Sequence, residues 1–146
     1  MVNRGPGVFC YPIPKVGWFM MILYAEDDVD DFFLVAEVLG KIDSSIECIN
    51  AINGRDLLDM LDGMYTQPDL ILLDVNMPTM DGISCLKELR SNPRFTGIPV
   101  HVFSTSTDPR QVRQCVELGA VEYKTKPADI SDLTSYLANL VVKRQV

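Results

Sequence analysis

The sequence has few cations, few cysteines and no long hydrophobic run, and each shortage excludes a class of protein. Lysine and arginine number 13 against 20 aspartates and glutamates, so the net charge is −7 and the pI is about 4.6. Nucleic-acid backbones and anionic membranes reward clustered Lys and Arg, which argues against both as partners. No apolar run approaches the roughly 20 residues that span a bilayer. A protein or metal partner is the better expectation.

The cysteines and the single histidine are too few and too scattered to suggest a disulfide framework or a metal site built from Cys and His. The four cysteines lie far apart and form no Cys-x-x-Cys pair: Cys10, Cys48, Cys85 and Cys115. Three of them fall within apolar periodic segments, so we interpret the cysteines as reduced core thiols of a cytosolic protein. The single histidine, His101, stands inside a predicted strand and is expected to be a core or sheet-face residue, not a ligand.

The length and composition suit one globular domain. The chain has 146 residues, 47% of them hydrophobic, which is enough to bury a substantial core. The first residues are rich in Gly and Pro, and their short apolar pieces are interrupted too often for the apolar region of a signal peptide. We therefore predict an irregular tail over residues 1–19 and a folded domain over 20–146.

From residue 21 onward, strand and helix patterns alternate. The predicted strands are 21–25, 46–51, 70–74, 100–104 and 122–125, and the predicted helices are 30–40, 55–64, 83–90, 109–118 and 130–142. Gly40 and Gly119 are expected to end the first and fourth helices. Several strands are apolar at nearly every position, which is typical of a parallel sheet covered on both faces. We predict an α/β fold with an open five-stranded parallel sheet between two layers of helices.

Polar residues follow the predicted strands at their carboxyl ends, where open parallel sheets bind ligands. They are Glu26, Asp27 and Asp28 after the first strand, Asp74 and Asn76 at the third, Ser104 and Thr105 at the fourth, and Lys126 after the fifth. Packed carboxylates repel one another unless a cation compensates, and an all-oxygen site suits Mg²⁺. Taken singly, the aspartates also suit helix caps or turns, and the acidic run 26–31 also suits a helix N-terminus. Taken together at one edge, the residues indicate a site.

Four segments resemble the receiver domain of two-component response regulators. They are Leu23-Tyr24-Ala25-Glu26-Asp27-Asp28, the stretch from Leu72 to Gly82 (LLDVNMPTMDG), the strand from Pro99 to Thr105 (PVHVFST), and Lys126-Pro127. The likeness extends from residue 21 to about residue 142. It implies a flavodoxin-like (βα)5 fold with strand order 2-1-3-4-5.

The resemblance also implies roles for individual residues. Asp74 matches the aspartate that receiver domains phosphorylate, Lys126 the lysine that pairs with the phosphate, Ser104 the switch hydroxyl and Tyr123 the aromatic switch. The implied Mg²⁺ ligands are Asp27, Asp74 and the backbone carbonyl of Asn76, with Glu26 reaching the ion through water. Asp28 lies one place beyond the family's acidic pair, so its role stays open. Lys126-Pro127 matches a peptide bond that is usually cis in the family.

The implied function is that of a single-domain response regulator. A partner histidine kinase or phosphotransfer protein would supply the phosphoryl group, and the phosphorylated domain would change its protein-binding surface for a downstream protein target. We expect a cytoplasmic monomer or weak homodimer that contacts neither nucleic acid nor membrane. Only four residues follow the last predicted helix, which favours a stand-alone receiver. The loop 104–109 further resembles regulators paired with bacterial phytochromes.

Two other functions remain as alternatives. A haloacid-dehalogenase-type phosphatase also uses a nucleophilic aspartate at a strand end, but its second acid would stand where this chain has Asn76. A pseudo-receiver would keep the fold and act as an unphosphorylated scaffold. The intact set Asp27, Asp74, Ser104 and Lys126 argues against the scaffold.

Overall fold

The computed structural model describes residues 20–145, which form a five-stranded sheet with five helices. The strands are β1 (Met20–Ala25), β2 (Ile46–Ala51), β3 (Leu70–Leu73), β4 (Val100–Ser104) and β5 (Glu122–Thr125). The helices are α1 (Val29–Ile42), α2 (Gly54–Gly63), α3 (Gly82–Ser91), α4 (Pro109–Glu117) and α5 (Ile130–Gln145). The sheet order is β2-β1-β3-β4-β5 and each neighbouring pair is parallel. The predicted fold class and strand order are confirmed, and the tail predicted over 1–19 lies outside the described residues.

The sheet is covered on both faces, and every residue of the inner strands β1, β3 and β4 is buried. In β1, Met21, Leu23 and Ala25 pack into a core shared with α2, α3 and α4, whereas Ile22 and Tyr24 pack into a second core shared with α1 and α5. This alternation follows from the two-residue period of a strand. Because both faces are covered by helices, the residues that follow the strand ends are the ones placed to form a site, at an edge of the sheet.

Glycine was predicted to end two helices, and it ends α4 but not α1. Gly119 follows α4 with a φ of +95°, a conformation that glycine adopts at little cost. Gly40 does not end α1, which continues to Ile42. The helix continues because Ile42, two residues beyond Gly40, packs against the same core as Leu39, and this contact outweighs the low helix propensity of glycine.

A close approach between α3 and the end of β3 requires Gly82. A Cβ atom at this position would lie 2.2 Å from the Asp74 carbonyl oxygen and 2.6 Å from Val75 Cα. The Gly82 amide donates a hydrogen bond to the Val75 carbonyl at 3.1 Å. The first turn of α3 is therefore pressed against the backbone that carries Asp74.

We expect Gly82→Ala to lower the free energy of unfolding by about 2–3 kcal/mol, because the added methyl group meets backbone atoms that cannot rotate away. Gly40→Ala is the matched control: nothing lies within 4 Å of its built Cβ, and alanine should raise stability by roughly 0.5–1 kcal/mol. Equilibrium urea unfolding of both variants checks the pair. Equal shifts in the two variants would contradict the close approach.

Candidate functional site

The predicted site residues meet at the carboxyl edge of the sheet. Glu26 and Asp27 follow β1, Asp74 follows β3, Ser104 ends β4 and Lys126 follows β5. The Asp74 amide still donates to the Ala25 carbonyl at 3.2 Å although β3 ends one residue earlier than predicted. The strand ladder therefore holds the end of β3 directly beside the end of β1.

Lys126 is the centre of this cluster. Its Nζ lies 2.5 Å from Glu26 Oε1, 3.0 Å from Asp31 Oδ2 and 3.3 Å from Asp74 Oδ2. Burial pulls the pKa of the ammonium down, but the hydrogen bond to Glu26, the charge of Asp74 and the contact with Asp31 outweigh it and raise the pKa above its ordinary value. Lys126 thus stays protonated and offsets the repulsion among three carboxylates.

Glu26 is the most buried acid of the cluster, with 2% of its surface exposed. Its Oε1 accepts the Tyr24 hydroxyl at 3.0 Å as well as Lys126, and its Oε2 accepts the Asp28 amide at 3.1 Å. Burial raises the pKa of Glu26, against the opposing effect of Lys126. Both carboxylate oxygens already have protein partners, which fits contact with an ion through water.

Three carboxylates of the cluster could hold a cation. Oxygen atoms of Glu26, Asp27 and Asp74 lie within 4.8 Å of one another. Asp27 is exposed, whereas the other two are buried. An all-oxygen set with excess negative charge fits a small, hard divalent cation such as Mg²⁺.

Asp28 and Asp31 have different roles, although both belong to the same acidic run. Asp28 is the N-cap of α1, since its Oδ1 accepts the amides of Asp30 and Asp31 at 2.9 and 3.3 Å. Asp31 instead reaches Lys126 from the first turn of α1. The sequence pattern does not distinguish Asp31 from the rest of the acidic run; its position in the helix turn nearest the site is the available signal.

The β3–α3 loop orients Asp74. The Asn76 amide donates to Asp74 Oδ1 at 3.0 Å, so one carboxylate oxygen faces the loop while Oδ2 faces Lys126. Thr79, further along the loop, has a φ of +69°, which is strained for a β-branched residue. Asp81 then caps α3 by accepting the Ser84 amide at 2.8 Å.

Ser104 and Tyr123 are connected through the β4–α4 loop. Ser104 is completely buried, and its Oγ accepts the Ser106 amide at 3.3 Å. The Tyr123 hydroxyl donates to the Ser106 carbonyl at 2.8 Å, and the Ser106 hydroxyl donates to Oε1 of Gln111 in α4 at 2.5 Å. Ser106 was not predicted, because no spacing rule identifies such a loop residue.

Three further sequence expectations have clear outcomes. All peptide bonds among the described residues are trans, so the expected cis bond before Pro127 is absent, and trans is the lower-energy form of such bonds. His101 is buried in β4, with its Nδ1 2.7 Å from Glu122 Oε2, which confirms a sheet-face role. The prediction of free thiols is confirmed for Cys48, Cys85 and Cys115, whereas Cys10 lies outside the described residues.

Comparisons with known proteins identify the family. The family model of the response regulator receiver domain matches residues 22–138, and the chain belongs to this family. Receiver domains are signalling proteins. Among residues 20–145, the helices are too short or too polar to cross a bilayer.

Individual relatives and solved structures agree with this assignment. A protein-glutamate methylesterase/protein-glutamine glutaminase of Treponema pallidum (strain Nichols) is 41% identical over 105 residues, covering 68% of this chain but only 25% of that protein. The phosphorylated cyanobacterial phytochrome response regulator RcpA matches with a TM-score of 0.77 and 31% identity, covering 83% of this chain and 90% of RcpA. The Mn²⁺-bound form of response regulator Rcp1 matches with a TM-score of 0.75 and 33% identity, covering 83% of this chain and 91% of Rcp1.

We expect Lys126→Met to lower the free energy of unfolding by about 3–5 kcal/mol at pH 7 without divalent cations, because the substitution leaves buried carboxylates without their cation. Lys124→Met is the matched control. It removes the same charge from β5, where the Lys124 ammonium lies 5.4 Å from the centre of the Tyr136 ring, and should cost only about 0.5–1 kcal/mol. Urea unfolding in the presence of a chelator measures both, and similar losses would show that Lys126 does not hold the cluster together.

Proposed function

We propose that this protein is a phosphoacceptor of a two-component system and that Asp74 receives the phosphoryl group. The observation that carries the proposal is the buried Asp74 carboxylate with Oδ2 3.3 Å from Lys126 Nζ, beside an acidic group suited to a divalent cation. The similarity to phosphorylated RcpA and to Mn²⁺-bound Rcp1 supports it. The receiver unit would comprise residues 20–146, with 1–19 outside it.

The proposed chemistry is the transfer of a phosphoryl group from a histidine nitrogen of a partner protein to a carboxylate oxygen of Asp74. An Asp74 carboxylate oxygen forms a bond to phosphorus while the bond to a partner's histidine nitrogen breaks. The leaving imidazole keeps the electron pair of that bond and takes up a proton. Such transfers depend mainly on positioning and charge neutralisation. Lys126, already directed at Asp74, is the residue that would neutralise one phosphoryl oxygen.

The cofactor in this proposal is Mg²⁺. Asp27, Asp74 and the Asn76 carbonyl would ligate the ion, and Glu26 would contact it through water. When bound, Mg²⁺ supplies positive charge that lowers the repulsion between the carboxylate and an anionic phosphoryl donor. Glu26 is suited to the outer position because Tyr24, Asp28 and Lys126 already occupy its oxygens.

The donor would be a phosphohistidine on a separate histidine kinase or phosphotransfer protein, acting in the cytoplasm. His101 is unsuited to that role, since only 6% of its surface is exposed and its ring contacts Glu122. The downstream partner would be a protein that recognises the switched surface. The switch would start at Ser104 and reach Tyr123 and α4.

We predict that acetyl phosphate with Mg²⁺ adds one phosphate to the wild-type chain, because Asp74 is the acceptor that Lys126 already contacts. Asp74→Asn should carry no phosphate, and a chelator should prevent the adduct on wild type. Intact mass measurement over time reads both. Asp59→Asn, which changes an exposed aspartate of α2, is the matched control and should behave as wild type.

The same time course separates the alternatives. Steady release of inorganic phosphate without an adduct would indicate a phosphatase. An unmodified chain without phosphate release would indicate a scaffold. An undiminished adduct on Asp74→Asn would disprove the acceptor assignment.

We predict that Ser104→Ala still accepts phosphate on Asp74 but transmits less of the change, because the hydroxyl that would move toward the phosphate is missing. Amide hydrogen exchange with and without a beryllofluoride mimic should show a smaller response in α4 and near Tyr123 than in wild type. Thr105→Ala is the matched control, since Thr105 is the neighbouring hydroxyl and is exposed. Equal responses in wild type and Ser104→Ala would show that the signal uses another route.

A further inference from the structure

Asp31 is an acidic residue of the site that lies outside the acidic group able to hold a cation. That group consists of Glu26, Asp27 and Asp74. Asp31 instead projects from the first turn of α1 to Lys126, with Oδ2 3.0 Å from Nζ. Its backbone amide is fixed by the Asp28 cap, so the helix N-terminus directs the carboxylate at the lysine.

Lys126 has enough partners to stay at the carboxyl edge of the sheet without Asp31. Glu26 contacts its ammonium at 2.5 Å from an almost fully buried position, and Asp74 contacts it at 3.3 Å. An ammonium group has three N–H donors, and the third is taken up by Asp31. The Asp31 contact therefore adds little to the placement of Lys126, and it engages a donor that a phosphoryl oxygen could otherwise use.

The charge of Asp31 also acts on the incoming group. The Lys126 ammonium contacts the carboxylates of Glu26, Asp31 and Asp74. A fourth carboxylate, that of Asp27, lies beside those of Glu26 and Asp74. With one divalent cation bound, the formal charge of this set is still negative by one unit. Neutralising Asp31 removes that unit, and a phosphoryl donor carries negative charge itself, so its approach becomes less unfavourable.

We propose that Asp31 is a positioning residue that restrains phosphoryl acceptance: it engages Lys126 from α1 and so weakens the help that Lys126 gives to an anionic donor. This inference rests on the proposed function of Asp74. Asp31 does not touch the reacting atoms and acts through the ammonium. Because 44% of its side chain is exposed, its charge effect is open to screening by salt.

The test compares rates of phosphate addition to the full chain from acetyl phosphate with Mg²⁺, followed by intact mass at low and high salt. Asp31→Asn should react about threefold to tenfold faster than wild type at low salt, since one unit charge near the donor is removed. The gain should shrink at about 0.5 M salt, where charges are screened within a few ångströms. Asp31→Glu retains the charge and should stay close to the wild-type rate.

Asp30→Asn is the matched control because it removes an equal charge from the same helix turn, where Asp30 is exposed. It should change the rate by less than about twofold, since exposed charges are screened. An Asp31→Asn rate at or below wild type, or an equal gain in Asp30→Asn, would overturn the inference while leaving Asp74 as the acceptor. A wild-type chain that accepts no phosphate would overturn the proposed function and this inference with it.

Discussion

The contact between one ammonium and three carboxylates is the interaction on which the rest of the site depends. Lys126 Nζ lies within 3.3 Å of oxygens from Glu26, Asp31 and Asp74. Without it, buried carboxylates would repel one another or take up protons. The lysine follows β5, whereas the acids come from the β1–α1 region and the end of β3. The cluster can form only when the parallel sheet has brought these strand ends to one edge.

The backbone around the cluster is also held in place by close contacts. The Asp74 amide remains bound to the end of β1, and α3 approaches the same residue so closely that position 82 has no room for a Cβ atom. Caps at Asp28 and Asp81 begin α1 and α3 beside the site. The acidic residues of this region therefore fall into two groups: those that cap helix N-termini and those that contribute negative charge to the site.

The sequence could predict the strand ends and the residues that follow them, because a parallel sheet fixes which ends meet. Asp74 and Lys126 were found in this way, although they are 52 positions apart. The two roles of Asp28 and Asp31 could not be separated, since both suit a helix N-terminus and only the turn of the helix decides which one reaches the lysine. Gly40 was wrongly expected to end α1, because the core contact of Ile42 is a tertiary effect that local propensity does not contain.

The hydrogen bonds of the β4–α4 loop could likewise not be predicted from the sequence. The sequence pointed to Ser104 and Tyr123, but their connection runs through the backbone and hydroxyl of Ser106. Hydrogen bonds to a loop backbone depend on its path, which neither periodicity nor spacing specifies. The connection from Ser104 to α4 therefore became visible only in three dimensions.

Chemical trapping of the acceptor tests the central claim most directly. After treatment with acetyl phosphate and Mg²⁺, borohydride reduces an aspartyl phosphate to homoserine, and peptide mass spectrometry then locates the changed residue. The account predicts homoserine at position 74 alone, formed only when both Mg²⁺ and the donor are present. Homoserine at position 27, 28 or 31, or none at any position, would contradict it.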